Sequence, residues 1–299
     1  MFNHTTFFAY ARKNPFGGRL TEEQVNGMKM LLWAWEKYGD GKLTHIAYIF
    51  AGVFHETGGK MVPVRENLTY TSAARIRAVW PSRFANNAAA QPYVRQPRKL
   101  ANFVYGKRNG NKEADDGWLF RGTGRIQNTF RGNIEKAEKR YGGLLFDRKS
   151  EKIDDRFDAI VTIRGHLDGL WRNFKLSDFD KANGEFDARA ARNIVNGTDK
   201  AGLIADYYVA FLGAFKAAQE ATPPADVIPE EAEPDKPKLV TDPTTIGAVI
   251  AGGSAIAGSA GELFSKINNP WAFGALVFAL AGLGLFFWGR TRLARHGGV

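Results

Sequence analysis

Residues 44–59, THIAYIFAGVFHETGG, contain the pattern that decides the fold and also point to a reacting group. Apolar residues recur there at the three- and four-residue spacing of one helix face. They are Ile46, Ile49, Phe50, Val53 and Phe54. Thr44 is predicted to cap the start of this helix, and the glycine pair at 58–59 is predicted to end it. The helix then carries Glu56 in its last turn.

Glu56 is a candidate general acid. The negative end of a helix dipole, together with an apolar wall, disfavours an ionised carboxylate. A carboxyl group that stays protonated near neutral pH is able to donate a proton to a leaving group. The alternative is that Glu56 is a solvated side chain at a helix end, and the pentapeptide HETGG alone leaves both interpretations open.

Three further stretches follow along the chain: ENLTYT at 66–71, ANFVYGKRNGN at 101–111 and DGWLFRGTGRIQNT at 116–129. With HETGG, in this order and at this spacing, they resemble the blocks of glycoside hydrolase family 19. They are more similar to the phage endolysin branch of that family than to the plant chitinases. A weaker fifth block, ARNIVNGTDKAGLIADYY, lies at 191–208. The resemblance covers most of residues 20–217 and implies glycoside hydrolysis.

Glycoside hydrolysis requires a second carboxyl group that faces the scissile bond. Glu66 matches the second carboxylate of the family, and it follows Pro63 in a segment predicted to be extended and exposed, where it should stay ionised. The alternative is a loop carboxylate that pairs with Arg65. The resemblance further implies that Thr129 holds the nucleophilic water, so the predicted catalytic residues are Glu56, Glu66 and Thr129.

The resemblance also implies residues that bind the sugar, namely Gln127, Asn133 and Asn196. Turn and cap chemistry in a glycine-rich loop is the alternative for the first two, and an Asn-Gly turn is the alternative for Asn196. The segment 121–134 departs from the family pattern at four positions, which are Thr123, Arg125, Phe130 and Ile134. These departures concern the sugar subsites rather than the two carboxylates.

The composition and net charge limit the kinds of metal site and binding partner that the chain can have. The chain has no cysteine, which excludes disulfides and thiolate metal sites, and Gly59 stands where the second histidine of an HExxH zinc motif would be. Neither a metal nor a cofactor is therefore predicted. The net charge is +10, and residues 1–222 hold 35 Lys and Arg against 24 Asp and Glu. No nucleic-acid-binding signature accompanies this charge, so the predicted partner is an anionic cell-wall polymer, peptidoglycan, rather than nucleic acid.

Helical patterns dominate the first 220 residues. Thr21 and Gln24 predict a capping box, and Gly39 ends the helix that follows. Further helices are predicted near 71–79, 98–105, 133–141, 155–174, 186–195 and 200–218. The alternation of an extensive sheet is missing. The sequence thus predicts a mostly α, bilobal lysozyme-like catalytic domain (α+β with minimal sheet) over 1–220, with its cleft between the lobes; the oligomeric state is not predicted.

The remaining residues predict a linker and a membrane segment. Residues 221–243 are rich in proline and acids and indicate an extended linker. Residues 244–270 are rich in Gly and Ala, and 244–261 are either a second span or a flexible stretch. Residues 271–289 predict a transmembrane helix, because 18 residues there lack any polar side chain. A basic tail, 290–299, follows, and the arginines in it favour a cytoplasmic C-terminus.

The predicted function is that of an endolysin, which cleaves the peptidoglycan glycan strand by acid/base catalysis with inversion, for host lysis or wall penetration. The predicted location is the host inner membrane, with the catalytic domain in the periplasm or cell wall, or else association with a virion. The alternatives are a chitinase, a catalytically weak wall-binding virion component, and membrane permeabilisation by the tail. The first residues lack an apolar run long enough to predict a signal peptide.

Overall fold

The computed structural model describes residues 2–219 and 224–235. These residues form ten α-helices: α1 His4–Lys13, α2 Glu22–Tyr38, α3 Leu43–Glu56, α4 Ala73–Val79, α5 Asn87–Ala90, α6 Pro97–Tyr105, α7 Asp116–Leu119, α8 Arg131–Tyr141, α9 Asp155–Asp168 and α10 Ala201–Ala217. Short 3₁₀ helices lie at Gln91–Tyr93, Leu176–Phe179, Ala190–Ile194 and Pro229–Ala232. The prediction of a mostly α-helical fold is confirmed.

The sheet is minimal, as predicted. Strands β1 (Val64–Arg65) and β2 (Thr123–Gly124) pair antiparallel, with Val64 opposite Gly124 and Arg65 opposite Thr123. This short pair joins the segment after α3 to the loop before α8. It therefore connects two stretches that the sequence analysis selected for chemistry.

Buried apolar residues fall into three clusters. The largest is built mainly by α1, α2, α3 and α10, where the ring of Phe7 stacks on Phe215 with 4.5 Å between centroids. The second lies among α4, α5 and α6 around Phe84 and Leu100. The third joins α8 and α9 through Phe120 and other side chains. The first two clusters are separate packing units, which is consistent with a lysozyme-like α fold.

Helix α3 passes through the largest cluster, and its predicted apolar face is buried. Ile46, Ile49, Phe50 and Val53 have no exposed surface. Gly58 and Gly59 adopt left-handed backbone angles, with φ of 59° and 81°, and turn the chain away from the helix. The prediction that Thr44 caps the helix is wrong, since α3 begins at Leu43 after Lys42, whose side chain makes no capping hydrogen bond.

Two of the other helix predictions disagree with the structure, and three helices, α1, α5 and α7, were not predicted. The capping box of Thr21 and Gln24 is present. Helix α1 was not predicted; its start is capped by the side chain of Asn3. Helix α9 ends at Asp168 rather than at 174, because Gly169 takes a left-handed conformation with φ of 66°. Only a 3₁₀ helix occurs within 186–195, because residue 186 pairs instead with residue 180 in an isolated β-bridge.

Part of the predicted linker lies against the helical domain. Arg12 of α1 donates to the carbonyl oxygens of Glu231 and Glu233 at 2.7 and 2.5 Å, and to the Asp235 carboxylate at 2.8 Å. The Asp235 carboxylate also accepts from the backbone N–H of Leu20. Residues 224–235 contain no long helix, in keeping with their composition, yet a buried guanidinium binds them to α1.

Within residues 2–219 and 224–235, no helix combines the length and the apolar character that crossing a bilayer requires. The predicted transmembrane helix at 271–289 lies outside the described residues, as do the segment 244–270 and the tail 290–299.

The interior of the domain contains a buried histidine, His166 of α9. Its Nδ1–H donates to the Thr162 carbonyl at 2.7 Å, and its ring packs against those of Tyr48 and Trp171. Burial lowers the pKa of His166 to about 4; the hydrogen bond to Thr162 opposes this shift and the charge of Arg192 adds to it. The side chain is therefore neutral in the folded protein near pH 7.

Because His166 is buried and neutral, we expect the free energy of unfolding to decrease at acidic pH. Between pH 6.5 and about 4 the unfolded chain binds a proton that the folded His166 does not, so the free energy of unfolding falls as the pH falls through this range. Each pKa unit is worth about 1.4 kcal/mol, which gives a loss of about 2–3 kcal/mol by about pH 4.5. Urea denaturation of the native protein and of His166→Gln, at about pH 7.5 and 4.5, measures this loss. Equal losses in the two proteins would contradict the prediction.

Candidate active site

Glu56 is the last residue of α3, as the sequence predicts, and an arginine holds it. Nη1 of Arg192 donates to Oε1 of Glu56 at 2.6 Å, with 5% of the arginine side chain and 18% of the glutamate side chain exposed. Arg192 lies in the 3₁₀ helix Ala190–Ile194, and its Nε donates to the Asp199 carbonyl at 3.1 Å. Two hydrogen bonds therefore fix both the arginine and the carboxylate that it contacts.

This ion pair differs from the environment that the sequence predicts for Glu56. The structure places the Arg192 guanidinium within hydrogen-bonding distance of Glu56, whereas the sequence predicts only an apolar wall and the helix dipole. Sequence reasoning missed Arg192, although it lies in the fifth block four residues before Asn196. Within the described residues Oε2 of Glu56 has no hydrogen-bond partner.

His55 precedes Glu56 and is half-buried. Burial lowers the pKa of His55, the carboxylate of Glu56 opposes this shift, and the charge of Arg192 reinforces it. The imidazole is therefore neutral near pH 7. Arg192 is then the cation in contact with Glu56.

Glu66 directly follows β1, and the β1–β2 pairing continues to it. Its backbone N–H donates to the Gly122 carbonyl at 2.8 Å, and its Oε2 accepts from the Gly122 N–H at 3.1 Å. Its Oε1 accepts from the hydroxyl of Tyr105 at 2.8 Å. Arg65 does not pair with Glu66: its guanidinium bonds to the Leu119 carbonyl and the Thr123 hydroxyl. Glu66 thus has one hydrogen-bond donor on each oxygen.

The tyrosines beside Glu66 remain protonated. Burial raises the pKa of Tyr105, and the charge of Glu66 and the hydrogen bond to it raise that pKa further. Burial and the charge of Glu66 also raise the pKa of Tyr70. The protonated hydroxyl of Tyr105 is therefore available as the donor of the 2.8 Å hydrogen bond to Oε1 of Glu66.

The loop of residues 122–129 lies against Glu66. Gln127 has a left-handed backbone, with φ of 53°, and its Nε2 donates to the carbonyls of Val64 and Gly124 at 3.2 and 2.9 Å. The hydroxyl of Thr129 donates to the Gln127 carbonyl at 3.0 Å. The single proton of Thr129 is therefore in use, and its lone pairs remain available to accept a hydrogen bond from water.

Two of the predicted sugar-binding residues are exposed. Asn133 lies in the first turn of α8, and its side chain donates to the Thr129 carbonyl at 2.8 Å. The side chain of Asn196 accepts from the N–H of Gly197 at 3.0 Å. The first of these contacts supports the loop that carries Thr129.

Arg125, one of the departures from the family pattern, is completely buried. Its side chain donates to the Met61 carbonyl at 2.9 Å and to the carboxylates of Asp155 and Asp158 at 2.6 and 2.8 Å. Its backbone N–H also donates to Asp158. This arginine therefore attaches the loop to α9 and to the turn after α3.

The other departures also have structural roles. The hydroxyl of Thr123 accepts from Arg65, and Ile134 is fully buried in the third cluster. The ring of Phe130 packs edge-on against Tyr105 with 5.5 Å between centroids. Each of the three supports the segment around Glu66 and Thr129.

A surface pocket lies near the opposite end of α3 from Glu56. Its volume is about 630 Å³, and Lys42, Asp180 and Tyr208 are among its lining residues. None of the predicted site residues lines it. Among the described residues, no three His, Cys, Asp or Glu side chains are grouped as a metal site would require.

Comparison with known proteins supports a glycosidase. No family model matches the chain. The chain is similar to a Haemophilus influenzae protein described as a "Glycosyl hydrolase family 19 domain-containing protein". The two are 29% identical over 167 residues, which are 55% of this chain and 78% of that protein. This similarity supports glycoside hydrolase family 19 at the level of the family, and a hydrolase that acts on glycosidic bonds.

The close packing around Gly122 predicts that the methyl group added by Gly122→Ala lowers the rate of hydrolysis. A Cβ at this position would lie 2.6 Å from Oε1 of Gln127 and 3.1 Å from Cβ of Glu66, so Gly122→Ala displaces both side chains. Displacement of a reacting group by about 1 Å costs about 100-fold in rate, and we expect a loss on the order of 10-fold or more. Release of reducing ends from peptidoglycan and from chitin measures it.

The matched control is Gly213→Ala in α10, where a Cβ meets no atom within 4 Å. Alanine in a helix is favoured over glycine by about 0.5–1 kcal/mol, so this variant should be fully active and slightly more stable. Equal activity of the two folded variants would contradict the arrangement of Gly122, Glu66 and Gln127.

Proposed function

We propose that this chain is an endolysin-type hydrolase that cleaves the glycan strand of bacterial peptidoglycan, with Glu56 as general acid and Glu66 as general base. The observation that carries the proposal is the contrast between the two carboxylates. Oε1 of Glu56 is bound by Arg192 while Oε2 is free of partners among the described residues, whereas each oxygen of Glu66 accepts one hydrogen bond. Acid/base hydrolysis of a glycoside requires two carboxyl groups in different roles, and the different partners of Glu56 and Glu66 support that division.

In this proposal Glu56 protonates the glycosidic oxygen through Oε2. Arg192 holds Oε1 and so fixes the direction in which Oε2 points. When the proton leaves, the carboxylate that forms is stabilised by the guanidinium already in contact with it. Arg192 thus acts as a positioning residue that favours the state reached after proton transfer.

Glu66 removes a proton from the attacking water. Tyr105 and Gly122 each donate one hydrogen bond to its carboxyl group, which leaves a second lone pair on each oxygen for the water. Thr129 accepts the other hydrogen bond of that water, because its own proton is bound to the Gln127 carbonyl. Inverting hydrolysis requires carboxyl groups roughly 6.5–9.5 Å apart, which leaves room for the water between them.

A chitinase is the second candidate. The neutral hydrogen-bonding side chains of Gln127, Thr129 and Asn133 suit N-acetylglucosamine in either polymer. The third candidate, a catalytically weak wall-binding component, was favoured by the altered segment 121–134. The structural roles of Arg125 and Thr123 account for those changes and remove that reason.

The role in host lysis or wall penetration is part of the same proposal and depends on the resemblance to phage endolysins. We further propose that the segment 271–289 attaches the protein to the host inner membrane and that the catalytic domain acts in the periplasm or cell wall. The basic charge of residues 1–222 favours an anionic polymer over a neutral one as the partner.

Glu56→Gln tests the acid. The variant keeps the shape of the side chain and a hydrogen-bond acceptor for Arg192, but it has no proton of suitable acidity to donate. General acid catalysis contributes about 10²–10⁴-fold, so we expect wall hydrolysis to fall by at least about 100-fold. Turbidity loss of purified sacculi and release of reducing ends measure it.

The matched control is Glu36→Gln on α2. This glutamate is about half exposed, and its ion-pair partner among the described residues is His4, at 3.8 Å, so its replacement should leave hydrolysis unchanged. Wild-type hydrolysis by a folded Glu56→Gln protein, shown by an unchanged circular dichroism spectrum, would exclude Glu56 as the acid.

The stereochemistry of the product tests the base. Direct attack by water held at Glu66 inverts the anomeric carbon, so a β-linked glycan should first release the α-anomer. Proton NMR of the first product, recorded before mutarotation, distinguishes the anomers. A β-anomer as the first product would indicate a covalent intermediate and would remove the role of general base from Glu66.

A further inference from the structure

The segment directly after Glu66 has an unusual charge distribution. Residues 67–112, here called the cationic segment, contain nine Lys and Arg and no Asp or Glu. The basic residues are Arg75, Arg77, Arg83, Arg95, Arg98, Lys99, Lys107, Arg108 and Lys112. All nine are exposed. The segment comprises α4, α5 and α6, which pack around the second apolar cluster.

Almost none of these charges is neutralised by the protein itself. Within the described residues only Arg98 pairs with a carboxylate, that of Asp115 at 2.5 Å. Basic residues elsewhere in the domain commonly have such partners, as Arg121 has Glu151 and Arg131 has Asp116. The cationic segment therefore presents eight positive charges without an internal counter-charge, and such a surface attracts an anionic polymer.

The cationic segment adjoins the candidate active site. Tyr105, at the end of α6, binds Glu66, and Arg108 follows three residues later. The guanidinium of Arg108 lies over the ring of Phe130, 5.6 Å from its centroid, and residue 130 directly follows Thr129. A polymer that is bound at Glu66 and Thr129 therefore extends past the unpaired positive charges of the cationic segment.

We propose that the cationic segment binds the carboxylates of the peptide stems of peptidoglycan and so selects this anionic glycan over neutral chitin. This inference rests on the proposed function and names the substrate class of the same site. Peptide stems project from alternate sugars of the strand and carry free carboxylates, whereas chitin is an uncharged polymer of N-acetylglucosamine. Charge complementarity therefore distinguishes two substrates that the neutral side chains Gln127 and Thr129 do not.

A salt dependence follows from the exposure of these residues. Charges at an exposed surface are screened beyond about 8 Å at physiological ionic strength. Binding to the stems should therefore weaken as salt is added, whereas contacts to the sugar hydroxyls should not. Chemical amidation of the peptidoglycan carboxyl groups should have the same effect as salt.

The test uses the full-length protein in the Glu56→Gln background, so that binding is measured without hydrolysis. The variant adds Arg75→Gln, Arg77→Gln and Lys99→Gln, none of which contacts a candidate catalytic residue. The matched control adds Lys29→Gln, Lys37→Gln and Lys139→Gln, which are equally exposed and lower the net charge by the same amount. Lys99 and Lys37 each lie over a tyrosine ring, at 5.2 and 5.5 Å, so the two sets are also matched in this contact.

Co-sedimentation with purified sacculi gives the affinity. We expect the first set to weaken binding about tenfold, a change of about 1.4 kcal/mol, and the second set to leave it nearly unchanged. Amidated sacculi should bind the parent and both sets equally weakly. Equal losses in the two sets on native sacculi, or no loss in either, would overturn the proposal.

Binding of the same proteins to vesicles of phosphatidylglycerol and phosphatidylethanolamine tests whether the partner is a membrane instead. If the first set lowers vesicle binding and leaves sacculus binding intact, the segment is a lipid-binding surface and the proposal is wrong. Failure of the proposed function would give a different result. The wild-type protein would then release no reducing ends, although its salt-dependent binding to sacculi would persist.

Discussion

The candidate active site depends on one buried guanidinium, that of Arg125. Its donors reach the Met61 carbonyl after α3 and two carboxylates of α9, and none of its surface is exposed. Met61 lies between Glu56 and Glu66 along the chain, and Arg125 lies between Gly122 and Thr129. Arg125 therefore fixes the loop of residues 122–129, which lies against the proposed base, relative to α9 and to the turn that follows the helix of the proposed acid. Removal of one member of a buried pair leaves an uncompensated charge, which costs about 3–5 kcal/mol.

The β1–β2 pair is short because it serves to align backbone rather than to build a sheet. Val64 pairs with Gly124, and the next hydrogen bonds connect the backbone of Glu66 to Gly122. An additional hydrogen bond, from the Gly122 N–H, reaches the carboxylate itself. A Cβ on Gly122 would lie 2.6 Å from Oε1 of Gln127 and 3.1 Å from Cβ of Glu66, so close contacts constrain this position rather than a left-handed backbone.

The sequence predicts the elements whose signals are local. The apolar period of α3, the glycines after it and the capping box of α2 are each determined by residues a few positions apart. The departures have non-local causes. Helix 186–195 is replaced by a 3₁₀ turn because the chain pairs backward with residue 180, and the contact of Arg192 with Glu56 joins residues 136 positions apart. No periodicity within a helix indicates such contacts.

The same limit applies to the electrostatics of the site. The helix dipole and the apolar wall at Glu56 are visible in the sequence, but the charge that determines its environment comes from the distant Arg192. The cationic segment differs in this respect, because the absence of Asp and Glu from residues 67–112 is visible in the sequence alone. The structure adds that all nine basic residues of this segment are exposed.

The unpaired charges of the cationic segment have a consequence for the stability of this part of the domain. Like charges on one small unit repel, and this repulsion opposes the compact state. The second apolar cluster that holds α4–α6 together, around Phe84 and Leu100, is smaller than the first. An anionic polymer that binds the folded form relieves the repulsion and stabilises that form by mass action. Substrate binding and the stability of this unit are therefore coupled, and the wall polymer that the site is proposed to cleave is also the counter-charge that the segment lacks.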